Sequence, residues 1–207
     1  MSLNIIFSFI SELNVIKYTI SKTDRYIKLG YKYSLPKDVA EFSSITDISK
    51  SLKNEYNEAE YENVKKSLES DYSKIEHKFI ESLTKVFGDK IPRDFDVVLT
   101  KYGVVGAFNP PNKVTINFTN TCHSPINILV HEILHLIIEP FVIMYNINQM
   151  RKERTVDLLL NSGEFNMLGF NSWQSNYNGA EKVVDELFKN DFFASPEQFF
   201  KKLSKIK

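Results

Sequence analysis

One stretch restricts the fold of this chain more than any other. From Ile126 to Ile138, the residues Ile126, Ile128, Leu129, Val130, Ile133, Leu134, Leu136, Ile137 and Ile138 fall on nearly every side of a helix. Ser124 is placed to cap that helix, with Pro125 at its first position, and the pattern runs to Glu139. A helix apolar all round has to be buried. Pro140 is expected to kink it or to open the next helix. The same helix carries His131, Glu132 and His135. Unpaired charge in a buried helix is costly, so these three side chains need a partner or a purpose.

The rest of the composition narrows the setting. A chain of 207 residues is long enough to bury a sizeable core. Its 26 basic and 26 acidic residues balance, so no global field attracts nucleic acid or an anionic membrane, and nucleic acid is not expected as a partner. The single cysteine, Cys122, excludes an internal disulfide framework and zinc sites of four cysteines; it reads as an inert small residue in a reducing compartment. The first residues, MSLNIIFSFISELNV, show no basic segment and no small-residue cleavage site, so the expected location is cytoplasmic. Ile126 to Met144 is interrupted by His131, Glu132, His135 and Glu139, which argues against a membrane span.

Hydrophobic spacing lays out the remaining elements. Asn4 to Phe9 reads as a short strand, Ser11 to Ile20 as a helix, and Lys37 to Asn57 as helical. Val64, Leu68, Tyr72, Ile75, Phe79, Leu83 and Phe87 recur at three- and four-residue steps, the stripe of a long amphipathic helix stopped by Gly88 and Pro92. Phe95 to Tyr102, Val104 to Phe108 and Lys113 to Thr119 read as strands, with a turn at Asn109-Pro110-Pro111-Asn112. A small antiparallel sheet is expected from them. Arg151 to Asn161 and Ala180 to Lys189 read as helices, and Ser195-Pro196 opens a short final one. His77 is expected on an exposed face of the long helix. The pairs Phe192-Phe193 and Phe199-Phe200 read as packing residues, and Lys201, Lys202, Lys205 and Lys207 as a solvated basic end.

Residues four apart share a helix face, so His131 and His135 project side by side and can grip one ion. Glu132 stands about a third of a turn away, close enough to hold and deprotonate a metal-bound water. This is the H-E-x-x-H arrangement of zinc metallopeptidases. A catalytic zinc needs a further protein ligand. No histidine follows His135, and Ile138 and Phe141 stand where a longer His motif would need Gly and His. Glu139 starts roughly 12 Å from His131 along the helix, too far to join the same ion. A carboxylate from a later element is therefore expected. Glu153 is the best placed, at the start of a helix, with Asp157 on the same face to orient a ligand imidazole. Glu164 is the second choice. The plain alternative is that Glu153 and Asp157 lie on a solvated face among Lys152 and Arg154.

The segment from Val114 to Asp157 resembles the gluzincins, the thermolysin-like and aminopeptidase-like zinc peptidases. The motifs carrying the resemblance are His131-Glu132-x-x-His135 and Glu153-x-x-x-Asp157. In that family two His and a downstream Glu bind Zn2+, the first motif Glu is general base, and an Asp past the Glu ligand orients a histidine. An edge strand before the motif helix binds substrate backbone there, a role the resemblance assigns to Lys113 to Thr119. The residues flanking Glu153 depart from the family's Asn-Glu and Glu-Gly patterns.

The resemblance implies an α+β, zincin-like domain over residues 1–207. Residues 1–90 would be mainly helical, and residues 94–207 would hold the sheet and the metal-site helices. Zinc would bind through His131, His135 and Glu153, and Glu132 would serve as the base in hydrolysis of a peptide or protein substrate. Tyr145, Tyr177 and His123 are candidates to stabilise the oxyanion. A zinc hydrolase of another substrate and a non-enzymatic scaffold with a degenerate site are the competing readings.

Overall fold

The computed structural model describes residues 1–89, 91–165, 169, 177 and 179–206. The chain forms two compact units. Ser2–Tyr72 and Asp94–Glu132 make one; Met1, Ser73–Arg93 and Ile133–Lys207 make the other.

The first unit begins with β1 (Ser2–Ile6) and α1 (Phe9–Ser21). Ser8 and Ser11 cap α1 reciprocally, each hydroxyl accepting from the other's backbone N–H. That capping box claims Phe9 for the helix, so the first strand lies earlier than its apolar pattern suggests. α2 (Thr23–Leu29) closes on Gly30, whose φ of 72° needs a residue without a side chain. The helical reading of Lys37 to Asn57 holds only for α3 (Ile45–Glu55). Ser44 and Asp47 form its capping box, and Asp38, at a φ of 64°, belongs to the turns before it. Ile16, Ile48, Leu52 and Tyr102 form a core cluster, with Phe9, Leu13 and Tyr56 packed around it.

The sheet contains β2 (Asp94–Thr100), β3 (Gly106–Asn109) and β4 (Lys113–Asn117) in the order β1-β2-β4-β3. β1 runs parallel to β2 and β2 parallel to β4; only β3 is antiparallel, to β4. The sheet is therefore mixed, not antiparallel. The reason is local: alternation states which face a residue takes, and leaves open which neighbour a strand pairs with. β2 sits between two parallel neighbours, and Val97 to Thr100 are all buried, as befits an interior strand. Lys113 to Asn117 is likewise interior. The edge nearest the motif helix in sequence is β3, which corrects the assignment of the edge role to Lys113–Thr119.

A buried carboxylate ties this unit together. Glu12 on α1 is fully buried and accepts from the Tyr61 hydroxyl, the Thr100 hydroxyl and the Lys101 backbone N–H (the last at 2.8 Å). Burial raises its pKa above the ordinary glutamate value. The hydrogen bonds from Thr100, Tyr61 and Lys101, and the Lys101 charge, oppose that rise.

α4 (Glu58–Phe87) carries the expected stripe, with Leu68, Tyr72, Phe79 and Leu83 buried and His77 exposed. It stops at Gly88, with φ 77°. α5 (Pro125–Met144) is longer than its pattern predicts because it runs through Pro140. The proline withholds one backbone N–H from the helix ladder, and the helix nonetheless continues to Met144. By length and a mean hydropathy of 1.7 this helix is apolar enough to cross a bilayer, but a core helix passes the same test, and 61% of its apolar window is buried in protein.

In the second unit, α6 (Gln149–Leu160) is capped by Asn148, whose side chain accepts from Arg151 N–H at 3.0 Å. α7 (Glu181–Leu187) continues as a π-helical turn over Phe188–Phe192 and leads to α8 (Pro196–Leu203), capped by Ser195. Phe188, Phe192, Phe199 and Phe200 pack edge-on and stacked against one another, while Phe193 is exposed. Of the basic end, Lys201 and Lys205 are exposed, Lys202 pairs with Asp191 at 2.6 Å, and Lys207 lies outside the described residues.

Candidate metal centre

α5 is one unbroken helix across the motif, so the four-residue step places His131 and His135 on the same face, one turn apart. His135 is buried and His131 half-buried. Beyond α5 the chain turns at Tyr145–Asn148, with Asn146 in the left-handed region at φ 50°. Asn148 then starts α6, which lays Glu153 against His135: the Glu153 Oε2 to His135 Nε2 distance is 3.1 Å. The other Glu153 oxygen accepts from the Gln149 side chain, one helical turn earlier.

His131, His135 and Glu153 each offer a ligand atom, and these atoms all lie within 4.8 Å of one another. Donors around a tetrahedral zinc at about 2.0–2.2 Å stand about 3.3–3.6 Å apart. The His135–Glu153 pair already sits near that spacing. Gathering all three around an ion takes side-chain shifts on the order of 1 Å. Two imidazoles and a carboxylate are also a donor set that zinc accepts, leaving one position open for water. The residues present therefore fit the ion.

Glu153 and Asp157 are no more than 6% exposed, which excludes a solvated helix face for them. Their charged neighbours pair elsewhere. Lys152 reaches Glu139 at 3.7 Å, and Arg154 makes a bidentate pair with Asp185, both contacts at 2.7 Å. The Arg154 guanidinium also lies over the Tyr177 ring, 4.9 Å from its centroid. The Asp185 carboxylate is the chief reason its pKa is pushed further up.

The Asp157 carboxylate accepts the Tyr177 hydroxyl. Tyr177 is thus tied through Asp157 to α6, the helix that carries Glu153. The Tyr145 hydroxyl donates to Glu197 at 3.2 Å, beside α8. His123 lies in the loop before α5, its backbone N–H held by Asn120. Glu164 is held by Lys85 at 2.7 Å and is not part of the His131–His135–Glu153 group. Cys122 is exposed.

Glu132 is buried within the first unit and lies against β3. Its carboxylate occupies the space beside Gly106, where a side chain would otherwise stand. Gly106 and Gln149 are the two residues here that the motif alone does not bring forward. Both leave a signal: a glycine inside a strand marks a close approach, and a Gln four residues before Glu153 shares its helix face.

Comparison with protein-family models, curated proteins and solved structures finds no match to this chain.

Proposed function

We propose that this chain is a zinc-dependent hydrolase acting on peptide bonds, a compact and divergent relative of the gluzincins. The observation that carries the reading is the meeting of His131, His135 and Glu153 from α5 and α6, with Glu132 on the same helix.

When bound, zinc would supply Lewis acidity and would lower the pKa of water from about 15.7 towards neutrality. His131, His135 and Glu153 would hold the ion. Gln149 fixes one Glu153 oxygen, which turns the other towards His135. Asp157, one turn further along α6, accepts the Tyr177 hydroxyl. Glu132 takes a proton from the attacking water and passes it to the leaving amine. β3 ends the sheet on its side, and such an edge can take an extended peptide as an added strand, as the resemblance implies for the substrate.

The test is Glu132→Gln after zinc reconstitution. The variant is expected to keep one zinc per chain and to lose roughly 10²–10⁴-fold in turnover of a fluorogenic peptide library. Hydrolysis at the wild-type rate would remove Glu132 from the mechanism. Zinc bound without cleavage of any peptide by the wild type would favour a different substrate class. No zinc bound at all would favour the scaffold reading.

A further inference from the structure

We infer that Gly106 is a positioning residue for Glu132: the missing side chain at this strand position sets where the Glu132 carboxylate rests. The inference builds on the role proposed for Glu132.

Gly106 opens β3 and pairs in register with Ile116 on β4. Its backbone does not call for glycine. Gly30, Gly88, Gly103, Gly169 and Gly179 have positive φ, and Gly106 is not among them. The reason for glycine here lies in what is packed on it. A Cβ at residue 106 would stand 2.7 Å from Ile128 Cγ2 and 3.0 Å from Glu132 Cδ, and closer still to Glu132 Oε1. Ile128 and Glu132 are one turn apart, so this face of α5 lies directly on the strand.

Glu132 is buried, and its seat is made from the volume that residue 106 leaves empty. With alanine there, the Glu132 carboxylate must leave its rotamer and the Ile128 methyl must give way, or the helix must lift from the strand. The rotamer change moves the base alone; lifting α5 would carry His131 and His135 with it, so an unchanged zinc content separates the two.

The experiment is a double-substitution cycle read by thermal unfolding, combining Gly106→Ala with Glu132→Ala. Gly106→Ala is expected to lower Tm by roughly 3–10 °C in the wild-type background, and by half of that or less when residue 132 is Ala. Zinc content should stay at one per chain. Where peptides are cleaved, kcat should fall, because the change displaces the base. An equal Tm loss in both backgrounds overturns the inference, because the clash would then lie with Ile128 or the strand itself. If Gly106→Ala does not fold, folding of the double variant supports the inference and its failure refutes it. Unfolding requires no turnover, so the cycle decides this point even if the chain cleaves no peptide.

Discussion

Replacing Glu153 with Gln tests the metal centre directly, because it keeps the side chain's size and removes its charge. Glu153 lies 3.1 Å from His135 Nε2, close to the spacing of two ligands on one ion. Partners that only orient a ligand typically carry 10–100-fold of metal affinity, so loss of a ligand should cost at least about 100-fold. At a zinc concentration 100 times the wild-type Kd, binding stabilises the wild type by about 2.7 kcal/mol. At that same concentration a 100-fold weaker variant gains only about 0.4 kcal/mol. For a chain of this length those values correspond to a zinc-induced rise of roughly 5–11 °C for the wild type and about 1–2 °C for Glu153→Gln. Differential scanning fluorimetry, with each protein compared against its own chelated sample, reads the two increments. Glu164→Gln serves as a control and should keep the full increment, because Glu164 is held by Lys85 and stands outside the group. An equal rise in wild type and Glu153→Gln would remove Glu153 from the ligand set. Loss of the rise in Glu164→Gln would put that residue in its place.

Two further substitutions probe the surroundings. Burial raises the folded pKa of Glu12, so between the ordinary glutamate pKa and that raised value the folded chain holds more protons than the unfolded one. The contribution of Glu12 is then greatest at low pH and declines as pH rises through the raised pKa. Urea unfolding from about pH 4.5 to 7 should show the wild type losing stability relative to Glu12→Gln as pH rises, and a constant gap between the two would exclude this origin. Tyr177→Phe leaves the Asp157 carboxylate without its phenolic donor and should cost about 1–3 kcal/mol in chemical unfolding. A change near zero would show that Tyr177 does not hold Asp157.

The candidate metal centre was readable in the sequence to different depths. His131, Glu132 and His135 are legible because spacing on a helix sets their relative positions in any tertiary context. Glu153 is legible as a candidate ligand by elimination of the alternatives. Its approach to His135, however, depends on a turn through Asn146 that no periodicity announces. Asp157 is legible as a neighbour of Glu153, while its partner Tyr177 lies twenty residues on and is brought in by folding alone. Glycine at 106 is visible as an interruption of a strand, but what fills the gap is a side chain from another element. Strand partners were the least legible. Lys113–Asn117 alternates cleanly, as an edge or an interior strand would, and only the pairing with β2 and β3 decides between them.

The order of the sheet also bears on how the chain folds. β3 and β4 meet across a turn of a few residues, so that hairpin can close early and locally. β1 joins β2 across a separation of 92 residues, with α1 to α4 lying between them in the chain. Pairings that close so long a loop have to overcome its entropy before any ladder bond repays it. The strand carrying Gly106 therefore belongs to the fast, local part of the sheet. The opposite edge closes the far longer loop, and substitutions in β1 should change the folding rate more than they change the geometry around Glu132.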